Sequence, residues 1–308
     1  MECNIIDVGA RYGVFPKFQP LVAACRYIMF EPDDKEALRL NEKYRDRQNI
    51  EVHPYALYSS EGQKDLNIYV HRGLNSFFLP DHPVVENTKH YRDGMKVSEK
   101  ITVNTQKLDN CLSNAHLLKI DTEGSELEIL KGAAENLRQS VSVVRAEVNF
   151  CRIRKNGVLF ADIDSFLREY GFELLNLDYR GCGTAQNKYV DPDGYGRLIG
   201  TDGVWFKPRE TVWNMSGHEG IIRSALFLMV NQAADVAIDF LLWAVKEKGV
   251  DLTHCLTDPV GMTLDKLLQG YFKKLLGFPY HEWNQLNDVY RSLFKNDLKT
   301  HHHYYESL

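Results

Sequence analysis

An apolar strand runs straight into a two-glycine turn at the start of this chain: Asn4-Ile5-Ile6 leads into Asp7-Val8-Gly9-Ala10-Arg11-Tyr12-Gly13. A second short apolar run, Tyr27-Ile28-Met29-Phe30, ends in Glu31-Pro32-Asp33. A strand, a glycine bend and a second strand closed by a carboxylate leave few folds open. The pattern is that of α/β sheets, which hold ligands beyond the carboxyl ends of parallel strands.

The bend also narrows the ligand. Gly9 and Gly13 lack a Cβ, so main-chain N–H groups there are open to close approach. Glu31, about 20 residues beyond the turn, is spaced to accept from ribose hydroxyls. The bend is not G-x-G-x-x-G, because no third glycine follows to let a helix pack behind a pyrophosphate. A ligand with adenosine and ribose but no diphosphate fits, and S-adenosylmethionine (SAM) is the commonest such cofactor. The plainer alternative is that Gly9 and Gly13 only make a tight strand-to-helix turn.

From residue 3 to about 206, short apolar runs alternate with helical periodicity, as in βαβ units around a parallel sheet. Asp33 to Tyr44 reads as a helix, Ile50 to His53 as the third strand and Asp65 to Val70 as a half-exposed strand. Residues 71–96 lack a clean period and read as one long loop, the kind that often covers a binding site. Ile101 to Val103 is a further strand. Leu117-Leu118-Lys119-Ile120 ends at Asp121, and Ser125-x-x-Glu128 reads as a capping box opening a helix that carries Leu127, Leu130, Ala134 and Leu137. Val141 to Val148, Phe172 to Leu177 and Val204 to Phe206 complete the strands, with a helix at Asp162 to Tyr170. Beyond residue 209 the character turns all-helical. Helices are expected at Ile221 to Val230, Val236 to Val245, Thr263 to Leu276 and Trp283 to Leu298. The division is thus 1–209 for the α/β domain and 210–308 for a small helical appendage, which must pack on the main domain or on a second copy, so a homodimer contact through it is open.

With 37 basic against 42 acidic side chains, the net charge of −5 carries no basic field for nucleic acid or an anionic membrane. The six cysteines form no C-x-x-C pair and fit reduced thiols, with Cys3 and Cys25 as small apolar groups near the sheet. No charged-then-apolar leader precedes the first strand, and Asn231, Gln232, Asp235 and Asp239 interrupt the most apolar stretch, so a cytoplasmic protein without a membrane span is expected. His301-His302-His303 reads as a solvated terminus.

Several separate blocks, in order, are similar to the FkbM family of SAM-dependent methyltransferases. They are Asp7 to Gly13, Phe30 to Asp33, Pro54-Tyr55-Ala56-Leu57 with Glu61-Gly62, Val103 to Asp109, and Leu118 to Glu126 running on to Leu130-Lys131-Gly132-Ala133. The resemblance covers roughly residues 3–150. It implies a class I methyltransferase fold, a Rossmann-like seven-stranded sheet whose last strand pair is antiparallel, and O-methylation of a saccharide or other hydroxyl-bearing small molecule. It places Asp7, Gly9, Arg11, Gly13, Glu31, Pro32, Ala56 and Leu57 around SAM: Gly9 and Gly13 at the methionine end, Glu31 on the ribose, Ala56 and Leu57 beside the adenine. The family's turn usually carries Asn where this chain has Arg11, which either holds the cofactor's carboxylate or is a solvent-facing stem.

Methyl transfer to a hydroxyl needs in-line alignment and a late proton acceptor. Asp121, Glu123 and Glu147 follow apolar runs and are the candidate catalytic acids, in that order; capping of the next helix is the structural alternative for the first two. His53, His71, His82 and His90 are alternative bases. Clustered carboxylates can bind a divalent ion, but no spacing here demands one, so no metal is assigned. Asn75-Ser76-Phe77-Phe78 is placed to close over the acceptor. A nicotinamide-dependent oxidoreductase and a non-catalytic SAM-binding module remain the competing readings.

Overall fold

A computed structural model describes residues 2–81, 85–86, 89–178, 181–183 and 197–250. The expected helices beyond residue 250, and His301 to His303, lie outside the described residues. Those described fall into two compact units. Phe15–Ala24 forms one, a 3-10 turn at Pro16–Leu21 in which Phe15 and Phe18 meet edge to face with centroids 5.1 Å apart. Glu2–Val14 and Cys25–Val250 form the other.

The larger unit runs β1 (Asn4–Val8), β2 (Arg26–Phe30), α1 (Asp34–Tyr44), β3 (Ile50–His53), β4 (Ala56–Leu57) and β5 (Gly62–Tyr69). After a 3-10 turn at Arg72–Leu74 come α2 (Lys89–Gly94), β6 (Val97–Gln106), α3 (Leu108–Cys111) and β7 (Leu117–Ile120). Then follow α4 (Glu126–Lys131), α5 (Ala134–Gln139), β8 (Val143–Asn149), α6 (Phe160–Glu169), β9 (Glu173–Leu177), β10 (Gly181–Gly183), β11 (Arg197–Phe206), α7 (Arg209–Val230) and α8 (Ala234–Lys248). The main sheet has the order β10-β11-β8-β7-β1-β2-β3, with β9 also on β11. Strands β3, β2, β1, β7 and β8 are mutually parallel, and β11 is antiparallel to β8. Gly200 pairs with both Asn149 and Gly181, so β9 and β10 lie on the same side of β11 and share one edge position. Eight strands therefore occupy the seven positions of the expected Rossmann-like sheet.

Several local expectations change. Residues 71–96 contain the 3-10 turn and α2, and β5 and β6 leave the parallel sheet altogether: with β4 they form a separate three-stranded sheet. Ser125 makes no capping bond; Glu126 accepts instead from Thr122 N, Thr122 Oγ1 and Gly124 N at 3.0, 3.0 and 3.1 Å. The helix after it breaks into α4 and α5 at Gly132, whose added Cβ would stand 2.2 Å from Tyr58 O. Cys3 and Cys25 are buried as expected but joined in a disulfide, which removes the argument from thiols to a reducing compartment. Among the described residues no helix is long and apolar enough to cross a membrane.

The two faces of the sheet differ in kind. On one, Ile6, Val8, Ile28, Phe30, Leu118, Ile120, Val144, Ala146 and Val148 pack with Leu130, Leu137, Ile163 and Leu167 from the helices. On the other, alternation along the pleat delivers Asp7, Lys119 and Arg145 into one cross-strand row, all buried. Asp7 pairs with Lys119 Nζ at 3.0 Å and accepts from Tyr27 OH at 2.6 Å; Arg145 binds Asp178, Asp202 and Asn231 Oδ1. Asn231 ends α7, so the helical hairpin belongs to the same unit as the sheet and completes this polar row.

Candidate active site

Parallel strands set their carboxyl ends along one edge, and each of the four central ones ends in a residue of interest. β1 passes into Gly9, β2 into Glu31, β7 into Asp121, and β8 carries Glu147 one residue beyond Ala146, the partner of Ile120. The glycine turn and the acid turn are pressed together: Asp121 N donates to Val8 O at 3.0 Å, and a Cβ built on Gly9 would sit 1.9 Å from Asp121 O. Gly9 is therefore required by packing between two strand ends. Within the turn, Gly9 N and Ala10 N donate to Phe30 O and Gly13 N to Ala10 O, while Val14 N reaches Tyr44 OH on α1.

Glu31 is buried, and its side-chain contacts fall on Oε1: Asp33 N at 2.9 Å and Arg11 Nη1 at 3.8 Å. Burial pushes its carboxyl up to about 7, against the pull of the Asp33 N–H and the Arg11 charge. Arg11 is not a solvent-facing stem. It lies 3.2 Å from Asp33 Oδ2 with a side chain only 13% exposed, and Arg72 meets the same oxygen at 3.2 Å. Asp33 thus caps α1 through Lys35 N and fastens the 3-10 turn at Arg72–Leu74 to the strand end. Pro32 between the two acids is half-buried. Asp7 lies inside the sheet with no exposed surface, and Ala56 and Leu57 are buried in their own clusters.

Asp121, Glu123 and Glu147 are brought together: each offers a carboxylate oxygen, and these oxygens lie within 4.8 Å of one another. Asp121 is half exposed, with Lys119 Nζ 3.5 Å away. Glu123 has left-handed backbone at φ 60°, and its Oε2 is held 2.5 Å from Arg154 Nη2. Burial pushes the Glu123 carboxyl up to about 7, with Arg154 opposing. Burial and the charges of Glu123 and Asp121 drive Glu147 well above the usual carboxylate range. Phe78 packs over Gly124 of the same turn, 3.2 Å from where a Cβ would stand, and Phe77 turns instead to Tyr58.

Arg154 is a site residue that the sequence did not single out. It is 2% exposed, binds Leu74 O at 2.9 Å as well as Glu123, and lies over the Tyr69 ring. Through it and Ser76 Oγ, which donates to Glu123 O at 2.7 Å, the segment after β5 is fastened to the acid turn. Of the histidines, His53 stacks on Phe30 at 5.0 Å with its pKa lowered by burial; His82 and the His90 side chain lie outside the described residues.

Residues 7–174 match the methyltransferase FkbM domain, more than half of the chain. The chain belongs to the FkbM methyltransferase family. The match spans the whole edge, from Asp7 through Arg154, and ends inside β9. No curated protein matches the chain. Solved structures similar to this FkbM methyltransferase include a rRNA methylase from Streptococcus thermophilus, at 10% identity and TM-score 0.32 over 67% of this chain and 87% of that one. A precorrin-6y C5,15-methyltransferase from Geobacter metallireducens GS-15 gives 11% and 0.34 over 67% and 80%. The 23S rRNA methyltransferase ErmE gives 12% and 0.34 over 81% and 83%.

Proposed function

We propose that this FkbM methyltransferase transfers the methyl group of SAM to a hydroxyl of a saccharide or related small molecule. The observation that carries the cofactor assignment is Glu31: a buried strand-end carboxylate whose contacts among the described residues use Oε1, leaving Oε2 for a ribose hydroxyl. Among the described residues the Arg11 N–H makes no hydrogen bond, so it is an amide that the glycine turn can offer a ligand, whereas those of Gly9, Ala10 and Gly13 are already committed. When bound, SAM supplies an electrophilic methyl on sulfonium. The chain's own contribution is to hold the acceptor oxygen in line and to take its proton as the new carbon–oxygen bond forms. Asp121, half exposed at the strand end, is the first candidate to receive that proton, with Glu123 and Glu147 behind it. Both of these keep raised proton affinities in a buried setting, which suits proton transfer near neutral pH.

The test has two parts. Calorimetric titration with SAM and its demethylated product is expected to show one site per chain, and Glu31→Ala is expected to weaken it by roughly 1 to 3 kcal/mol through the unpaired ribose hydroxyls. A screen of glycans and nucleotide sugars with labelled SAM then reads where the methyl lands. Absence of SAM binding overturns the cofactor assignment, and label on nitrogen or carbon overturns the hydroxyl acceptor.

A further inference from the structure

We propose that Arg72 gates the cofactor crevice: its side chain closes the gap between the turns after β1 and β2, and it leaves Asp33 each time SAM, on the cofactor reading above, enters or departs. The two turns are the banks of that crevice. One carries Arg11 and Tyr12, the other Glu31 and Asp33, and the groups left for a ligand, Arg11 N–H and Glu31 Oε2, stand one on each bank.

The loop that leaves β5 touches both banks with neighbouring residues. Arg72 Nη1 meets Asp33 Oδ2 at 3.2 Å, and a Cβ built on Gly73 would stand 2.5 Å from Tyr12 OH. A tip that rests on both banks spans the space between them. The backbone around the tip is tied down: His71 N donates to Gly94 O at 3.1 Å, Arg154 to Leu74 O at 2.9 Å, and Ser76 exchanges main-chain bonds with Asn67 at 2.9 and 3.2 Å. The loose part is the Arg72 side chain, 47% exposed against a partner carboxylate that is 5% exposed. When it swings away, Asp33 keeps Arg11 at 3.2 Å and the Lys35 N–H at 3.2 Å, so opening strands no buried charge. An ion pair with one half in water is weak, which suits a contact that breaks and re-forms at every passage. Arg72 is thus a positioning residue, acting on the path of the cofactor and not on its reacting atoms.

The contact is closed without ligand and closes again over it, so removing it multiplies entry and release by one factor and leaves their ratio alone. Both steps are read by surface plasmon resonance of SAM on the full chain. Arg72→Ala is expected to speed each about two- to fivefold, the span of a weak ion pair, with the Kd within about twofold of wild type. The control is Arg92→Ala on α2, whose side chain is also 47% exposed, and it should leave both rates unchanged. Circular dichroism checks that each variant is folded. Unchanged rates in Arg72→Ala overturn the gate and leave the cofactor assignment standing, and an equal effect of Arg92→Ala overturns it as well. Faster release with unaltered entry also overturns it, because that pattern belongs to a direct contact with the ligand. Wild type that binds no SAM removes the cofactor assignment and the gate with it.

Discussion

Gly9 and Gly171 share a backbone φ of 78° but not their surroundings, so they form a matched pair for testing why the first turn contains glycine. Alanine at either site takes on the left-handed backbone, about 1 to 2 kcal/mol for an L-residue. The restriction of the unfolded chain is the same in both and cancels. At Gly171 nothing lies within 4 Å of the new Cβ. At Gly9 the methyl would stand 1.9 Å from Asp121 O, and Asp121 cannot recede freely because its N–H is bonded to Val8 O at 3.0 Å. Parting two packed strand ends adds roughly 1 to 3 kcal/mol. Calorimetric unfolding is therefore expected to place Gly9→Ala about 4 to 8 °C below Gly171→Ala, taking about 2 kcal/mol and roughly 2 to 4 °C per kcal/mol for a unit of this size. Equal losses in the two variants would refute the packing argument and return Gly9 to the role of a ligand-facing glycine.

Further outcomes are expected at three places in the chain. His116 accepts from Asn4 N–H at 2.9 Å, and burial, aided by Arg223, pushes its pKa down to about 4. The unfolded chain then binds the extra proton between about pH 6.5 and 4, so stability falls as pH drops through that window, by up to roughly 3 kcal/mol; urea titrations of His116→Gln at pH 7.5 and 4.5 should lose that slope, and an unchanged slope would sink the claim. Glu31, pushed up to about 7 by burial, penalises the ionised apo protein, so stability is lost as pH rises through 7 and Glu31→Gln should melt higher than wild type at pH 8. SAM affinity should move the other way, about tenfold weaker at pH 6 than at pH 8 in wild type and flat in Glu31→Gln. The Cys3–Cys25 bond closes a loop with a sequence separation of 22, and its reduction should cost roughly 3 kcal/mol in chemical denaturation; coincident curves with and without reductant would contradict it.

What the sequence made legible was periodicity at strand ends. Ile50–His53 and Leu117–Ile120 were bounded by their own apolar runs, and the acids behind those runs led to Asp121, Glu123 and Glu147. Pairing partners were not legible: β5 alternates as a strand should, but nothing local says that it pairs with β6 outside the parallel sheet. The same holds for Cys3 and Cys25, which become neighbours because the register sets Asn4 beside Arg26, one residue past each. Ser125 fits a cap by spacing alone, yet it makes no capping bond, and the local anchor is Glu126, which accepts from the N–H groups of the preceding turn at Thr122 and Gly124. Arg154 sits in an irregular stretch after β8 with no period to mark it. Lys119 and Arg145 did carry a signal, a charge in mid-strand among apolar neighbours, that a tally of hydrophobic runs passes over.

That mid-strand row has a consequence for how the sheet assembles. Slipping β7 by one residue against β1 would turn Lys119 toward the oily side and leave Asp7 facing Leu118 or Ile120, stranding ions of both signs where water does not reach. An apolar sheet tolerates many near-equivalent alignments, whereas a single misplaced buried ion costs several kcal/mol. Asp7, Lys119 and Arg145 thus act as an alignment key: only one threading of the central strands lets every ion meet its mate, and that threading also brings the three acids abreast at the rim.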